Sequence, residues 1–216
     1  MKRIVLYINP KSLNDATSHY IDIVNRAATE LGFFFVITES INNIKFGDII
    51  FTITTNNYIK GFLLRPFCKT IFWSQGIDPE ESMMREKNIF KYYLKSLIEF
   101  IVLSLPSFKL FVSKAMLIHY KNKYNFNAKN YATMPCYNLH YSKPLQKNLD
   151  RYKNPSFVYA GSLSIWQNIE ETLKVYKCLE NQIQNSTLTL LTEEIEKANN
   201  LIEEHNIKSA NVKYVD

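Results

Sequence analysis

The sequence contains little glycine: 5 residues among 216, against an average usage of about 7%. Neither G-x-G-x-x-G nor G-x-x-x-x-G-K-[ST] occurs in it. Those patterns need several glycines to bring backbone amides against a nucleotide phosphate. The scarcity therefore excludes a standard dinucleotide fingerprint and a P-loop, although it does not exclude phosphate binding by other means.

Clusters of cysteine and histidine are also lacking. Cys68, Cys136 and Cys178 are odd in number and widely spaced, and no two of them have C-x-x-C spacing. The four histidines do not cluster either, so the sequence indicates neither a disulfide framework nor a zinc site. A reduced, cytosolic compartment is the simplest account of this cysteine usage.

Long apolar runs are absent. No run approaches the ~18 residues that predict a membrane-spanning helix. Ile4–Ile8 is too short for the apolar region of a secretory signal, and Asn9-Pro10-Lys11 closes it. Since 46% of the residues are hydrophobic and 21% are charged, we expect a globular protein in the cytoplasm.

Positive charge is concentrated in one segment. The formal net charge is +6, and residues 85–129 hold nine Lys and Arg against two Glu, a net +7 that leaves −1 for the remainder. Two interpretations stay open: a solvated helical face, or a patch that faces anionic lipid or phosphate. Nucleic-acid binding rests on this segment alone, because no docking motif accompanies it, and we expect no nucleic-acid partner.

Short apolar runs alternate with amphipathic segments through the first two thirds of the chain. The predicted strands are Ile4–Ile8, Phe33–Ile37, Asp48–Ile53, Thr70–Trp73, Leu110–Val112 and Tyr131–Pro135. The predicted helices are Asp15–Leu31, Asn56–Leu64, a long helix from Pro79 to Leu105, and one from Ser113 to Tyr124. This alternation indicates an α/β fold with a parallel sheet covered on both faces. In such a sheet the ligand lies at the carboxyl ends of the strands.

The long helix has a two-sided pattern. We expect Asp78 to cap it and Pro79 to stand in its first turn. Its apolar residues are predicted to face the core: Ile89, Phe90, Tyr93, Leu94, Leu97, Ile98 and Ile101. Lys87, Lys91, Lys95 and Glu99 recur at four-residue steps and are predicted to form a solvent-facing stripe.

A polar segment divides the chain. We assign residues 1–137 to a first domain, 138–155 to a linker that contains Pro144 and Pro155, and 156–216 to a second domain. There the strand–helix alternation resumes, with strands Phe157–Ala160, Thr187–Leu191 and Val212–Val215 around helices Gln167–Leu179 and Glu193–His205. Since the last strand is apolar with nothing after it to cover it, we expect the second domain to be incomplete.

Four local segments narrow the choice of family. They are Phe72–Glu81 (FWSQGIDPEE), Leu110–Met116 (LFVSKAM), Met134–Asn138 (MPCYN) and Phe157–Ile169 (FVYAGSLSIWQNI). In this order they resemble segments of the group 1 glycosyltransferases (family four). That family has the GT-B fold, in which two Rossmann-like domains face a cleft. The resemblance covers nearly the whole chain.

The resemblance implies a glycosyltransferase that moves a sugar from a nucleotide-sugar donor to a glycan or lipid-linked glycan in the synthesis of a bacterial surface polysaccharide, such as capsule or lipopolysaccharide. It implies an acceptor-side first domain and a donor-binding second domain. It also implies retention of anomeric configuration, no obligatory metal and no cofactor. The family's acidic pair would lie beyond Asp216, so we name no catalytic residue and expect this chain alone to be inactive.

The resemblance also implies binding residues in both domains. Gly161, Ser162, Trp166 and Gln167 are the donor-binding candidates, because the family places donor phosphate at this loop. We expect Gly161 and Ser162 to end a strand and open a helix, where backbone amides favour an anion. An ordinary strand-to-helix turn is the alternative.

On the acceptor side the candidates follow two strands of the first domain. Asn9 and Lys11 follow the first strand, and Gln75, Gly76 and Asp78 follow the fourth. The basic segment 85–129 is the candidate for peripheral contact with an anionic membrane on the inner face of the cell. The rival interpretation is a non-catalytic α/β scaffold of a polysaccharide-synthesis complex, which the scarcity of glycine and of basic residues in the donor loop favours.

Overall fold

A computed structural model describes residues 2–9, 13, 15–127, 129–135 and 153–215. The chain divides into two compact units, Met1–Leu139 and His140–Asp216. The assigned linker, 138–155, lies mostly outside the described residues, and the domain boundaries therefore stay a prediction.

The first unit is built on six parallel strands. They are β1 (Arg3–Tyr7), β2 (Phe34–Thr38), β3 (Ile49–Thr52), β4 (Lys69–Ser74), β5 (Phe108–Phe111) and β6 (Tyr131–Thr133), in the spatial order β2-β1-β3-β4-β5-β6. Because the order reverses at β1, connecting helices cover both faces of the sheet. The central strands are correspondingly buried on both faces, as the apolar runs predict.

Five helices accompany these strands. They are α1 (Asp15–Glu30), α2 (Thr55–Leu64), α3 (Asp78–Glu86), α4 (Ile89–Ser104) and α5 (Lys114–Tyr124). Local capping sets two of the starting points: the hydroxyl of Thr54 accepts from the amide of Asn57, and that of Ser113 accepts from the amide of Met116. The cap at Ser113 is the one that the sequence predicts.

The second unit has three parallel strands, β7 (Ser156–Ala160), β8 (Thr187–Leu191) and β9 (Ala210–Lys213), in sequential order. Helices α6 (Ile169–Gln182) and α7 (Ile195–Glu204) connect them. Leu173, Tyr176 and Leu190 are the centre of its core. The α/β fold with two Rossmann-like parallel sheets is confirmed.

The single helix predicted from Pro79 to Leu105 is wrong, because the chain breaks between α3 and α4. Lys87 adopts a left-handed conformation with φ 52°, and the side chain of Asn88 caps α4 by accepting from the amide of Lys91. The capping role assigned to Asp78 is also wrong. Ile77 is the capping residue, and Asp78 belongs to the first turn of α3.

The orientation predicted for α4 is likewise wrong. Ile89, Phe90, Tyr93, Leu94, Leu97 and Ile101 are exposed, although Ile98 is half-buried as expected. Ser96, Glu99, Val102 and Leu103 are the buried side chains of α4. Apolar residues surround most of this helix, so periodicity alone does not identify the side that faces the sheet.

One carboxylate ties the elements of the second unit together. Glu180, near the end of α6, accepts hydrogen bonds from the amide of Lys208 at 2.8 Å and from that of Ser209 at 2.7 Å. It also forms an ion pair with Lys177 at 2.8 Å. Burial alone would raise the pKa of Glu180, but these partners and the Ser209 hydroxyl lower it to about 2.

We expect Glu180→Gln to lower the free energy of unfolding of the second unit by about 1.5–3 kcal/mol near neutral pH, because charged hydrogen bonds are lost. The folded pKa lies below the unfolded value of about 4.3. The contribution is therefore complete above about pH 4.3 and is lost as the pH falls through the folded pKa.

Urea denaturation at neutral and acidic pH measures both effects. The wild type should lose more stability on acidification than Glu180→Gln does. Glu204→Gln, at an exposed position of α7, is the matched control and should behave as the wild type. Equal pH profiles for all three proteins would contradict the prediction.

Candidate functional site

A cavity of about 440 Å³ lies in the first unit at the carboxyl ends of β3 and β4. One wall comes from the residues that follow these strands, and α4 closes the opposite side. Its lining is Ile53, Thr54, Thr55, Asn56, Phe72, Ser74, Gln75, Gly76, Asp78, Glu81, Lys95, Ile98, Glu99 and Val102. The structure therefore brings Gln75, Gly76 and Asp78 together, three of the five acceptor-side candidates. Hydroxyl, amide and carboxyl groups beside apolar surface are what a polyhydroxylated ligand requires.

The turn after β4 is held from behind by a buried tyrosine. The hydroxyl of Tyr120 donates to the carbonyl of Gly76 at 2.9 Å and lies 2.8 Å from the hydroxyl of Ser74. Burial raises the pKa of Tyr120 above its usual range, and Glu99 adds to the shift. A side chain at Gly76 would place its Cβ 2.6 Å from Oε1 of Glu81, so the carboxylate of Glu81 would have to move to admit it.

The cavity is acidic. Asp78, Glu81 and Glu99 are three carboxyl groups in its lining, against the single ammonium of Lys95. Nζ of Lys95 donates to Asp78 at 2.9 Å, and Oε1 of Glu81 accepts from the amide of Ile77 at 3.2 Å. Such a lining suits neutral or cationic hydroxyl-bearing groups better than phosphate.

Glu99 is the most deeply buried of these carboxyl groups. It accepts from the hydroxyl of Tyr124 at 2.6 Å, and its Oε2 lies 3.5 Å from Nζ of Lys123. Burial raises the pKa of Glu99, and Tyr124 and Lys123 only partly offset the shift. A buried carboxyl group that has a raised pKa and lines a cavity is a candidate functional group. The prediction that Glu99 belongs to a solvent-facing stripe is therefore wrong, since its side chain is buried.

A second carboxylate extends the same network. Oε1 of Glu80 lies 2.7 Å from Nζ of Lys123 and 3.4 Å from Nε2 of His119. The ammonium of Lys123 also lies over the rings of Tyr92 and Tyr124. Lys123 therefore belongs to the packed interior between α3, α4 and α5 and is not part of an external patch.

Other basic residues of the segment 85–129 are engaged as well. Lys91 pairs with Glu86, and Lys109, which is buried, donates to the carbonyl of Pro106 at 2.8 Å. Burial lowers the pKa of Lys109. The net charge of the segment thus overstates the charge that it presents to an external partner.

In the second unit, Gly161 and Ser162 line a cavity of about 310 Å³ at the carboxyl ends of β7 and β8. Gly161 has φ 150°, a conformation that favours glycine, and its amide donates to the carbonyl of Leu191 at 3.0 Å. The helix expected to open at Ser162 begins instead at Ile169, after a 3-10 turn and the left-handed Asn168.

The carboxylate of Glu194 is hydrogen-bonded to a backbone amide of this loop. Oε2 of Glu194 accepts from the amide of Leu163 at 2.6 Å. Lys197 donates to Oε1 of Glu194 at 3.0 Å and to the carbonyl of Leu163 at 2.8 Å. The Leu163 amide, followed by Lys197, lowers the pKa of Glu194. A loop amide that an incoming phosphate would use thus has an internal anion as its partner.

The remaining candidates lie apart from these two groups. Gln167 lines a separate cavity of about 430 Å³ between β7 and α6, and Trp166 stands half-exposed in the 3-10 turn. Asn9 follows β1 and is not among the residues that line the cavity at the ends of β3 and β4 or the one at the ends of β7 and β8. Lys11 lies outside the described residues.

In the part of the chain that the structure describes, no helix has the length and hydrophobicity that crossing a membrane requires. No group of three or more His, Cys, Asp and Glu residues there is arranged to hold a metal ion.

No protein-family model matches the sequence, and no curated protein matches it. Solved structures do match in fold. Sucrose-phosphate synthase from Thermosynechococcus elongatus aligns with 99% of this chain and 70% of its own, at 12% identity and a TM-score of 0.67. The chain has the GT-B fold of glycosyltransferases.

Two other glycosyltransferase structures share the fold. Anabaena HepE, solved with UDP and glucose, aligns with 100% of this chain and 70% of its own, at 11% identity and a TM-score of 0.59. A mutant of S. aureus TarM, solved with fondaparinux, alpha-GlcNAc-glycerol and UDP, aligns with 79% of this chain and 33% of its own, at 11% identity and a TM-score of 0.55. Identities this low show the fold alone.

Removing the hydroxyl that holds the Ser74–Gly76 turn should loosen the cavity wall. We expect Tyr120→Phe to lower the free energy of unfolding by about 1–3 kcal/mol, because the buried groups of Ser74 and Gly76 lose their partner. Urea denaturation measures the change. Tyr93→Phe removes the same atom from a side chain that is 65% exposed and should stay within about 0.5 kcal/mol of the wild type. Equal losses for both variants would refute the assignment.

Proposed function

We propose that this protein is a glycosyltransferase that moves a sugar from a nucleotide-sugar donor to a hydroxyl group of a glycan or lipid-linked glycan. The observation that carries the proposal is the cavity at the carboxyl ends of β3 and β4, where Gln75, Gly76 and Asp78 converge. In an α/β sheet this edge is where ligands bind. The fold shared with UDP-bound HepE and TarM supports the nucleotide-sugar as donor.

The proposed reaction is one substitution at the anomeric carbon. The oxygen of the acceptor hydroxyl forms the new bond to that carbon, and the bond from the carbon to the nucleoside diphosphate breaks. The acceptor oxygen attacks the face from which the diphosphate leaves, so that the configuration is retained. The departing diphosphate oxygen keeps the bonding electron pair and takes up the hydroxyl proton. The acidic lining of the cavity in the first unit suits the acceptor rather than the diphosphate, because carboxylates accept hydrogen bonds from hydroxyls and repel phosphate.

We assign the donor to the loop that contains Gly161 and Ser162, with Trp166 and Gln167 after it. Within the same proposal, the product is a bacterial surface polysaccharide. The reaction proceeds with retention of configuration and without metal or cofactor. The enzyme acts in the cytoplasm, at the inner face of the membrane.

Isothermal titration of the chain with UDP tests the donor assignment. We expect saturable binding that weakens when Gly161 is replaced by valine, because the φ of 150° at Gly161 disfavours any residue with a Cβ. Gly32→Val, also at a positive φ but at the end of α1, is the matched control for backbone strain. Absence of UDP binding by the folded wild type would refute the donor assignment.

The second candidate is a non-catalytic scaffold with a degenerate donor loop, and Glu194 is the observation that favours it. A carboxylate on the Leu163 amide, with Glu193 in the same cavity, opposes a diphosphate there. Under the enzyme proposal the donor must displace Glu194; under the scaffold proposal Glu194 is a permanent part of the loop.

Removing that carboxylate separates the two candidates. If the loop binds diphosphate, Glu194→Ala should tighten UDP binding by about tenfold, or ~1.4 kcal/mol, because the amide becomes available and a repulsive charge is removed. Glu193→Ala removes an equal charge from the same cavity without releasing the Leu163 amide, and it should have a smaller effect. Binding that stays undetectable in the wild type and both variants favours the scaffold.

A further inference from the structure

Helix α4 packs a mixed side, with Ser96, Glu99, Val102 and Leu103, against the protein and turns an apolar side towards solvent. Lys95 and Glu99 face the cavity at the ends of β3 and β4. Six large side chains, which we call the α4 apolar face, are between 42% and 75% exposed: Ile89, Phe90, Tyr93, Leu94, Leu97 and Ile101. Contiguous exposed apolar surface of this kind marks an interaction site.

The α4 apolar face is a continuous band. At about 100° per residue its six members fall within roughly 140° of the helix circumference, and they extend over about 18 Å of helix length. Ser96, Glu99, Val102 and Leu103 occupy the opposite side and are buried. The side of α4 that stays exposed is therefore almost wholly apolar, as is the surface that a helix lying flat in an apolar–aqueous interface presents to lipid.

The charges around the band favour an anionic surface. Lys91 is the only exposed charged residue of α4. Glu99 is buried, and Lys95 is half-buried and pairs with Asp78. Arg85, in the last turn of α3, and Lys87, which follows α3, are exposed at the end of the band that carries Ile89 and Phe90. Glu86 pairs with Lys91 and lies 4.0 Å from Arg85, so these three basic residues and one acidic residue together present a net charge of +2. Basic residues beside an apolar band complement anionic lipid headgroups.

We propose that α4 is the membrane-binding element of this protein and that its apolar face inserts into the interfacial region of an anionic bilayer. The inference rests on the proposed function and narrows it. Because the inner side of α4 forms a wall of the acceptor cavity, insertion brings that cavity to the membrane surface. An acceptor whose sugar enters the cavity while its hydrocarbon chain stays in the bilayer fits this arrangement, so the acceptor is lipid-linked.

Flotation of the full 216-residue chain with lipid vesicles tests the proposal. The wild type should bind vesicles that contain about a third anionic lipid and should keep measurable binding at about 1 M salt, where charges are screened within ~3 Å. The double variant Leu94→Glu, Leu97→Glu should bind at least about tenfold more weakly. Leu63→Glu, at an exposed apolar position of α2, is the matched control and should bind as the wild type.

Tryptophan fluorescence tests whether the α4 apolar face is the part of the protein that contacts the bilayer. Trp fluorescence of a Tyr93→Trp variant should shift to shorter wavelength when anionic vesicles are added. Failure of the wild type to float, complete loss of binding at high salt, or an unchanged spectrum would overturn the proposal. So would a wild type that is dimeric without lipid and becomes monomeric in the double variant, because the face would then be an interface between copies of the chain.

UDP titration of the same proteins keeps this inference separate from the proposed function. The double variant should bind UDP as the wild type does, since the α4 apolar face is not part of the donor loop. UDP binding without vesicle binding overturns the membrane proposal alone. Vesicle binding without UDP binding refutes the donor assignment and leaves α4 as a membrane-binding element.

Discussion

The buried carboxyl group of Glu99 determines the arrangement of the candidate acceptor site. Its contacts with Tyr124 and Lys123 bind the middle of α4 to α5. A buried carboxyl group without such partners would be costly, so these contacts fix which side of α4 faces the sheet. That choice places Lys95 and Glu99 in the cavity wall and leaves the opposite, apolar side of the helix exposed.

The regular elements of both sheets could be predicted because their signals are local. Buried strands such as Ile49–Thr52 lie in short apolar runs, and Ser113 is a recognisable cap. Local signals also placed Gln75, Gly76 and Asp78 at a strand end, where the structure has a cavity. The break between α3 and α4 had a signal as well, since Asn88 is a favourable capping residue, but neither glycine nor proline stands between residues 80 and 105 to mark it.

The side of α4 that faces inward could not be predicted, because it depends on contacts across the fold. Glu99 meets residues that are 24 and 25 positions later in the chain, and no pattern within α4 indicates this. The occupied donor loop is a similar case: Glu194 reaches the amide of Leu163 from the turn after β8. In both places a carboxylate accepts a hydrogen bond from a residue that is distant in the sequence.

In the second unit, the scarcity of glycine coincides with a loop whose backbone amides are hydrogen-bonded within the chain. Loops that bind diphosphate leave backbone amides open to the ligand, whereas here Leu163 donates to Glu194 and Gly161 to Leu191. Under the proposed function, a donor bound at this loop competes with a chain carboxylate that Lys197 also holds. Since that competition lowers affinity for free nucleotide, a protein built this way gains from holding its acceptor at high local concentration. A cavity brought to the membrane surface by α4 would supply that concentration for a lipid-linked acceptor.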